Sequence, residues 1–174
     1  MKLADYLKTM KNPLKKRTVV FLIKDNKVLL GFKKRGFGKG NFLGIGGKVE
    51  LDETIKQAAT REVKEEINVE IINLKQIGIL KFYFPHVKDE SWNQQVHVFI
   101  TNTWNGKEQE SEEIRPEWFA KNKIPYNFMW DDARYWLPEI LKGKKIEASF
   151  IFDEKLKVAD WDIKIFQKML PKIS

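Results

Sequence analysis

Four acidic residues and one arginine are spaced so that they could do chemistry together. Glu62, Glu65 and Glu66 stand at i, i+3 and i+4, which on a helix crowds their carboxylates onto one face. Glu53 lies in the loop leading into that helix, and Arg61 precedes Glu62. Like charges at i, i+4 cost an isolated helix about 0.2–0.5 kcal/mol per pair, and a bound divalent cation removes that cost. Mg²⁺ is the expected ion, with Mn²⁺ as the alternative, because hard cations take oxygen ligands and bridge carboxylates to substrate phosphates. The competing reading is an ordinary amphipathic helix, with Ile55, Ala58, Ala59, Val63 and Ile67 as its buried stripe and the acids as its wet face.

The elements that must position these residues follow from local pattern. Thr18–Lys24 and Lys27–Phe32 are β-rich runs joined by Asp25-Asn26, a two-residue hairpin turn. A basic, Gly-rich loop, Lys33 to Gly40, comes next; it reads either as a solvated hairpin tip or as a lid. Phe42–Val49 is expected to be extended and to feed the acidic loop and helix. Residues 69–84 and 93–104 read as two long strands, with a further strand over Ile114–Phe119. Asp131 or Asp132 is the expected N-cap of a helix over Ala133–Leu141 that Gly143 ends, and Ile146–Phe152 is another strand. Strands outnumber helices, which predicts an α/β (α+β) fold: a mixed sheet with helices on its faces.

The acidic segment has the spacing of the Nudix box: Gly47, Glu53, Arg61-Glu62 and Glu65-Glu66 fall in register, with Val63 and Val69 at apolar positions. The late Gly of the box is Asn68 here, and Asn is the next-best residue for a left-handed helix end. Beyond the box the chain resembles the oxidised purine nucleoside triphosphate hydrolases, the MutT-homologue branch of the family. The resemblance runs from about Thr18 to Phe152 and rests on Leu29–Gly38, Gly44–Val49, Val96–Phe99, Glu113–Phe119 and Met129–Pro138.

That resemblance implies a Nudix α/β/α sandwich and Mg²⁺-dependent hydrolysis of an oxidised purine nucleoside triphosphate, such as 8-oxo-dGTP or 2-hydroxy-dATP, to the monophosphate and pyrophosphate. It places metal ligands at Glu62 and Glu66, bordered by the Gly46 and Gly47 backbone, with Glu65 and Glu113 completing the acidic set. Arg61 would orient the acids, Glu53 would pair with Arg61, and Glu65, Glu66 or Glu113 would serve as general base. The family's base-pocket positions fall on Thr18, Lys33, Phe37, Phe42, Leu43, Phe82, Trp130, Asp132 and Ala133. Phe82 and Trp130 would sandwich the purine and Asp132 would bond its edge. The family has Asn where this chain has Leu43, and a second acid where it has Ala133; Asp131 is the candidate to replace that acid. The enzymatic alternative is a Nudix hydrolase of an unmodified NTP, an ADP-sugar or a capped RNA end. The non-enzymatic one is a nucleotide- or nucleic-acid-binding Nudix module.

Composition sets the remaining bounds. The 174 residues suit one domain, expected over 17–154, with a basic N-terminal extension at 1–16 and a C-terminal segment at 155–174 packing on it. The absence of cysteine excludes disulfides, and with no signal peptide and no long apolar run a soluble cytoplasmic protein without membrane partners is expected. The net charge is +8, yet residues 47–70 carry seven acids and four bases, a net of −3 that leaves +11 elsewhere. An acidic pit on a basic body suits a metal-bound polyphosphate. A small-molecule nucleotide is the expected partner, nucleic acid the lesser alternative, and a monomer the expected state. His86 and His97 receive no role.

Overall fold

The structure is a computed structural model and describes residues 1–166. Its centre is a large mixed sheet in which helices pack on both faces. β1 (Lys15–Lys24) turns through Asp25 and Asn26, both at positive φ (52° and 59°), into β2 (Lys27–Lys33), which is the hairpin the sequence predicts. β3 (Phe42–Leu43) pairs with the end of β2.

The two long strands expected at 69–84 and 93–104 are each broken in two. β4 (Glu70–Ile71) and β7 (Trp104–Asn105) peel off to form a separate two-stranded ribbon. β5 (Lys75–Tyr83) and β6 (Gln94–Thr101) stay in the main sheet as an antiparallel pair. β8 (Ile114–Ala120), β9 (Lys145–Phe152) and β10 (Val158–Phe166) complete it. The order is β10-β9-β5-β6-β1-β2, with β3 and β8 both on β2; β1–β6 and β5–β9 run parallel.

Strand alternation splits the core into two. On one face Val20 and Leu22 of β1 pack with Ala59, Val63 and Ile67 of α2 (Ile55–Ile67). On the other, Phe21 and Ile23 pack with Trp136, Leu137 and Ile140 of α3 (Ala133–Leu141). A short helix, α1 (Leu3–Leu7), docks by Leu3 against Tyr83 and Ile151, and Leu3 N–H donates to Asp160 at 3.0 Å. The basic N-terminal stretch is therefore not a free tail, and residues 15–16 already belong to β1. Within the C-terminal segment expected at 155–174, β10 pairs with β9; residues 167–174 lie outside the described part. No described helix is long and apolar enough to cross a membrane.

Candidate active site

α2 begins where its sequence says it should. Thr54 Oγ1 accepts from Gln57 N–H at 3.1 Å and Gln57 Oε1 accepts from Thr54 N–H at 2.8 Å, a reciprocal capping box. It ends at Asn68, whose φ of 56° and ψ of 39° are left-handed, so Asn does here what the box's glycine does elsewhere.

Arg61 ties the preceding loop to this helix. Its Nε and Nη2 donate to the two oxygens of Glu53 at 3.0 and 2.7 Å, and Nη2 also reaches the Lys48 carbonyl at 3.0 Å. Nη1 donates to Glu62 at 2.9 Å and Glu65 at 3.2 Å. The expected Glu53–Arg61 pair is present as a bidentate fork, the strong form of a charged hydrogen bond. The arginine holds the Glu53 carboxyl below its ordinary value. Glu65, by contrast, is largely exposed.

Glu66 is the buried acid, 5% exposed on an otherwise apolar helix face. It accepts from Gly46 N–H at 3.3 Å. Burial, against the attraction of Lys33 and helped by repulsion from Glu62 and Glu113, pushes its carboxyl up to about 8. Burial likewise raises Glu62, although Arg61 opposes the shift. The glycines are required by space: a Cβ on Gly47 would lie 2.5 Å from the Glu62 carboxylate, and one on Gly46 would lie 2.0 Å from the Thr18 carbonyl oxygen. Glu113, immediately before β8, meets the same place from the strand beside β2. Lys33 Nζ lies 3.4 Å from Glu113 and 4.0 Å from Glu66, and Arg35 lies 3.3 Å from Glu113. Burial works to raise the Glu113 carboxyl, but Lys33 and Arg35 outweigh it and hold it below its ordinary value.

These residues fit a hard divalent cation. The donors are carboxylate oxygens, and the position between Glu66 and Glu113 already faces a positive group, the Lys33 ammonium. Among the described residues no three acids are gathered closely enough to enclose an ion by themselves. Mg²⁺ suits such a half-built set, since it binds through one or two carboxylates plus waters and substrate phosphates.

Beside the acids opens a cavity of about 160 Å³ between the sheet and α3. Thr18, Lys33, Phe37, Phe42, Leu43, Phe82, Trp130 and Asp132 all line it, as does the Gly46-Gly47 backbone. Phe82 and Trp130, the rings expected to sandwich a purine, both line the cavity, and each has an aromatic neighbour of its own. Trp130 stacks on Phe37 (5.4 Å between centroids, 15° between planes), while Phe82 stacks on Phe150 (5.8 Å, 23°). Phe37 comes from the Gly-rich loop, where Gly36 and Gly38 take positive φ (75° and 85°), and so occupies one face of the tryptophan.

Neither aspartate caps α3. Asp132 occupies the cap position with helical backbone angles, and its side chain makes no capping bond; it is buried and accepts from Trp136 Nε1 at 2.7 Å. Burial raises its carboxyl to about 6. Asp131 does not line the cavity. It accepts from Val158 N–H at 3.0 Å and pairs with Lys157 at 3.4 Å and Arg134 at 3.7 Å, so it does not replace the acid missing at Ala133. Residues that sequence reasoning passed over are also here. Arg17 and Gln94 line the cavity, and Arg17 Nε, Thr18 Oγ1 and Gln94 Oε1 are buried without a partner. The signal was available: each sits at the end of an alternating apolar stripe, Arg17-Val19-Phe21-Ile23 and Gln94-Val96-Val98-Ile100, where an apolar residue belongs.

Residues 13–140 match the NUDIX domain family. The chain belongs to the Nudix family. It is 43% identical over 135 residues to the oxidized purine nucleoside triphosphate hydrolase of Danio rerio, covering 78% of this chain and 85% of that protein. It is 37% identical over 150 residues to the enzyme of the same name from Mus musculus, covering 84% and 92%. In fold it is similar to the MutT protein of Bacillus halodurans, with a TM-score of 0.75 at 20% identity, covering 87% of this chain and 98% of that one. The Nudix sandwich expected from the sequence is thus the observed architecture.

Proposed function

We propose that this Nudix chain hydrolyses an oxidised or otherwise modified purine nucleoside triphosphate to the monophosphate and pyrophosphate, with Mg²⁺ as cofactor. One observation carries the reading. The extended Gly46-Gly47 segment belongs to both halves of the site: it lines the aromatic cavity, gives a backbone N–H to Glu66, and lies against the Glu62 carboxylate. A nucleotide with its base in the cavity therefore places its phosphates at the acids. The relatives' names point to the same substrate class.

Bound Mg²⁺ would neutralise phosphate oxygens and lower the pKa of a water. The protein's part is positioning and charge. Glu62 and Glu66 supply the carboxylates, with Glu113 opposite them. Arg61 fixes Glu62 and the loop through Glu53. Lys33 bridges acids and cavity and is placed to neutralise a phosphate. Phosphoanhydride cleavage asks for little else, because positioning and electrostatics dominate phosphoryl transfer. Glu66 is buried and its carboxyl is raised without a cation; a cation held there would keep it ionised as a ligand, which leaves Glu65 and Glu113 as the candidates for general base.

The test is a substrate panel: purified protein with Mg²⁺ and 8-oxo-dGTP, 2-hydroxy-dATP, dGTP, ADP-ribose or capped RNA, with products separated by chromatography. The expected result is fastest turnover of an oxidised purine triphosphate with release of pyrophosphate. Preference for ADP-ribose or capped RNA would overturn the substrate, and no turnover of any would overturn the enzymatic reading.

A further inference from the structure

Two positions of the cavity where the family resemblance implies hydrogen-bonding groups are apolar here, and three other lining residues carry polar atoms without a protein partner. Leu43 and Ala133 offer nothing polar from their side chains, and Asp131 is engaged outside the cavity. Gln94, 5% exposed, and Thr18, 3% exposed, nevertheless keep polar side-chain atoms without partners, as does Arg17 at Nε. A buried polar atom left unpaired costs about 1–3 kcal/mol, so native proteins rarely carry one without a reason. Three lining one apolar cavity imply a ligand that pairs with them.

Their placement supports this. In the β1–β6 pairing Arg17 lies opposite Val96, and Gln94 is two residues back along β6, on the face that carries Val96, Val98 and Ile100. In the β5–β6 pairing Gln94 lies directly opposite Phe82. The Arg17 guanidinium rests over the Phe37 ring at 5.4 Å, and Phe37 stacks on Trp130. The polar atoms thus flank the aromatic surfaces that a flat base would contact. Arg17 Nε–H is a donor, Gln94 Oε1 an acceptor, and the Thr18 hydroxyl either. Carbonyl acceptors beside N–H donors are what an oxopurine edge presents. Adenine presents ring nitrogens and one amino group.

We infer that Gln94 and Arg17 are specificity-determining residues that read the edge of an oxopurine base, in place of the groups absent at Leu43 and Ala133. The inference rests on the cavity being the base pocket of the proposed function, but not on hydrolysis.

It is tested by calorimetric titration of wild type, Gln94→Met and Arg17→Met with 8-oxo-dGMP and dAMP, without divalent cation, alongside thermal midpoints. Wild type is expected to bind 8-oxo-dGMP at least about tenfold more tightly than dAMP, and each variant to lose most of that ratio, since a site that hydrogen-bonds its ligand loses discrimination when the bond is removed. The Gln94→Met midpoint should hold or rise, because the change removes a buried amide oxygen that has no protein partner. An unchanged ratio in Gln94→Met, no wild-type preference, or binding of neither monophosphate would overturn the inference. So would a lowered Gln94→Met midpoint, which would assign the amide a structural partner. A ratio lost in the variants of a wild type that hydrolyses no triphosphate would sink the hydrolytic reading and leave this one standing.

Discussion

On the acidic side of the site each of the five glutamates has a protein partner. Arg61 holds Glu53, Glu62 and Glu65, Gly46 holds Glu66, and Lys33 and Arg35 hold Glu113. On the cavity side, a few residues away, three buried polar atoms have none. Most of the first region comes from one continuous segment and is organised before any ligand arrives. The second is assembled from β1, β5, β6, the Gly-rich loop and the approach to α3, and three of its buried polar atoms pair with no protein group. A site that fixes its reaction locally and its substrate through distant residues can change the second while keeping the first.

The largest effect should come from Glu66→Gln. Turnover is expected to fall at least about 10²-fold, the scale lost when one preorganised charge-stabilising group is removed, while affinity for the product monophosphate holds. Mg²⁺ should raise the thermal midpoint of wild type and not of the variant. Steady-state kinetics, calorimetry and thermal melts check this. If monophosphate affinity collapsed along with turnover, the two regions could not be treated as separate.

Asp132 offers the next effect, and it belongs to the cavity alone. Its folded carboxyl titrates at about 6 against an ordinary 3.8, so the folded state binds the proton more tightly than the unfolded. That contribution to stability is full below the ordinary value and lost as pH rises through 6. Asp132→Asn cannot titrate. The wild-type-minus-variant stability difference should therefore decline by about 3 kcal/mol across this window, at 1.36 kcal/mol per unit. Denaturant unfolding at a series of pH values measures it; a flat difference would mean that the side chain is wetter than its buried position indicates.

Trp130→Leu should follow. Stacking on an aromatic side chain is worth about 1–3 kcal/mol per base, so monophosphate affinity should drop by that amount with the chemical step intact. Phe37 already covers one face of Trp130, so Phe37→Ala should improve access and move affinity less, which would separate a plug from a wall.

Much of this was legible in the sequence, and what was not has identifiable causes. The α2 acids and the Asp25-Asn26 turn are set by residues within a few positions of one another, where spacing predicts contact, and the Glu53–Arg61 fork was implied by the family resemblance. The Nudix architecture was implied by the family resemblance that this run of residues carries. The breaks at 72–74 and 102–103 each hold an Asn, which strands disfavour, but one such residue does not end a strand by itself, and pairing of β4 with β7 decides them. Asp132 looked like a cap because Asp before a helix usually is one; a tryptophan four residues on took its carboxylate instead. Asp131 was claimed by β10, a strand the sequence did not mark clearly. Gln94 and Arg17 were missed because a single polar residue at the end of an apolar stripe reads as a strand terminus until the neighbouring strand is placed beside it.

Asn68→Gly should have the smallest effect, and it tests whether a departure from the family pattern on the acidic side has any consequence. Asn68 is left-handed, its N–H donates to Lys64 O at 3.0 Å, and its Nδ2 donates to Gln109 Oε1 at 3.3 Å. Glycine would relieve the Cβ cost but add freedom to the unfolded chain and lose the side-chain bond, terms of about 0.5–1 kcal/mol that oppose one another. Stability should shift by less than about 1 kcal/mol, with turnover unchanged. Asn68→Val, which must place a β-branched residue in the same conformation, should cost roughly 1–2 kcal/mol. Denaturant midpoints distinguish the two. If Asn68→Gly changed substrate preference while stability held, the acidic end of α2 would be reading the substrate too, and the separation between a fixed reaction site and an adjustable cavity would fail.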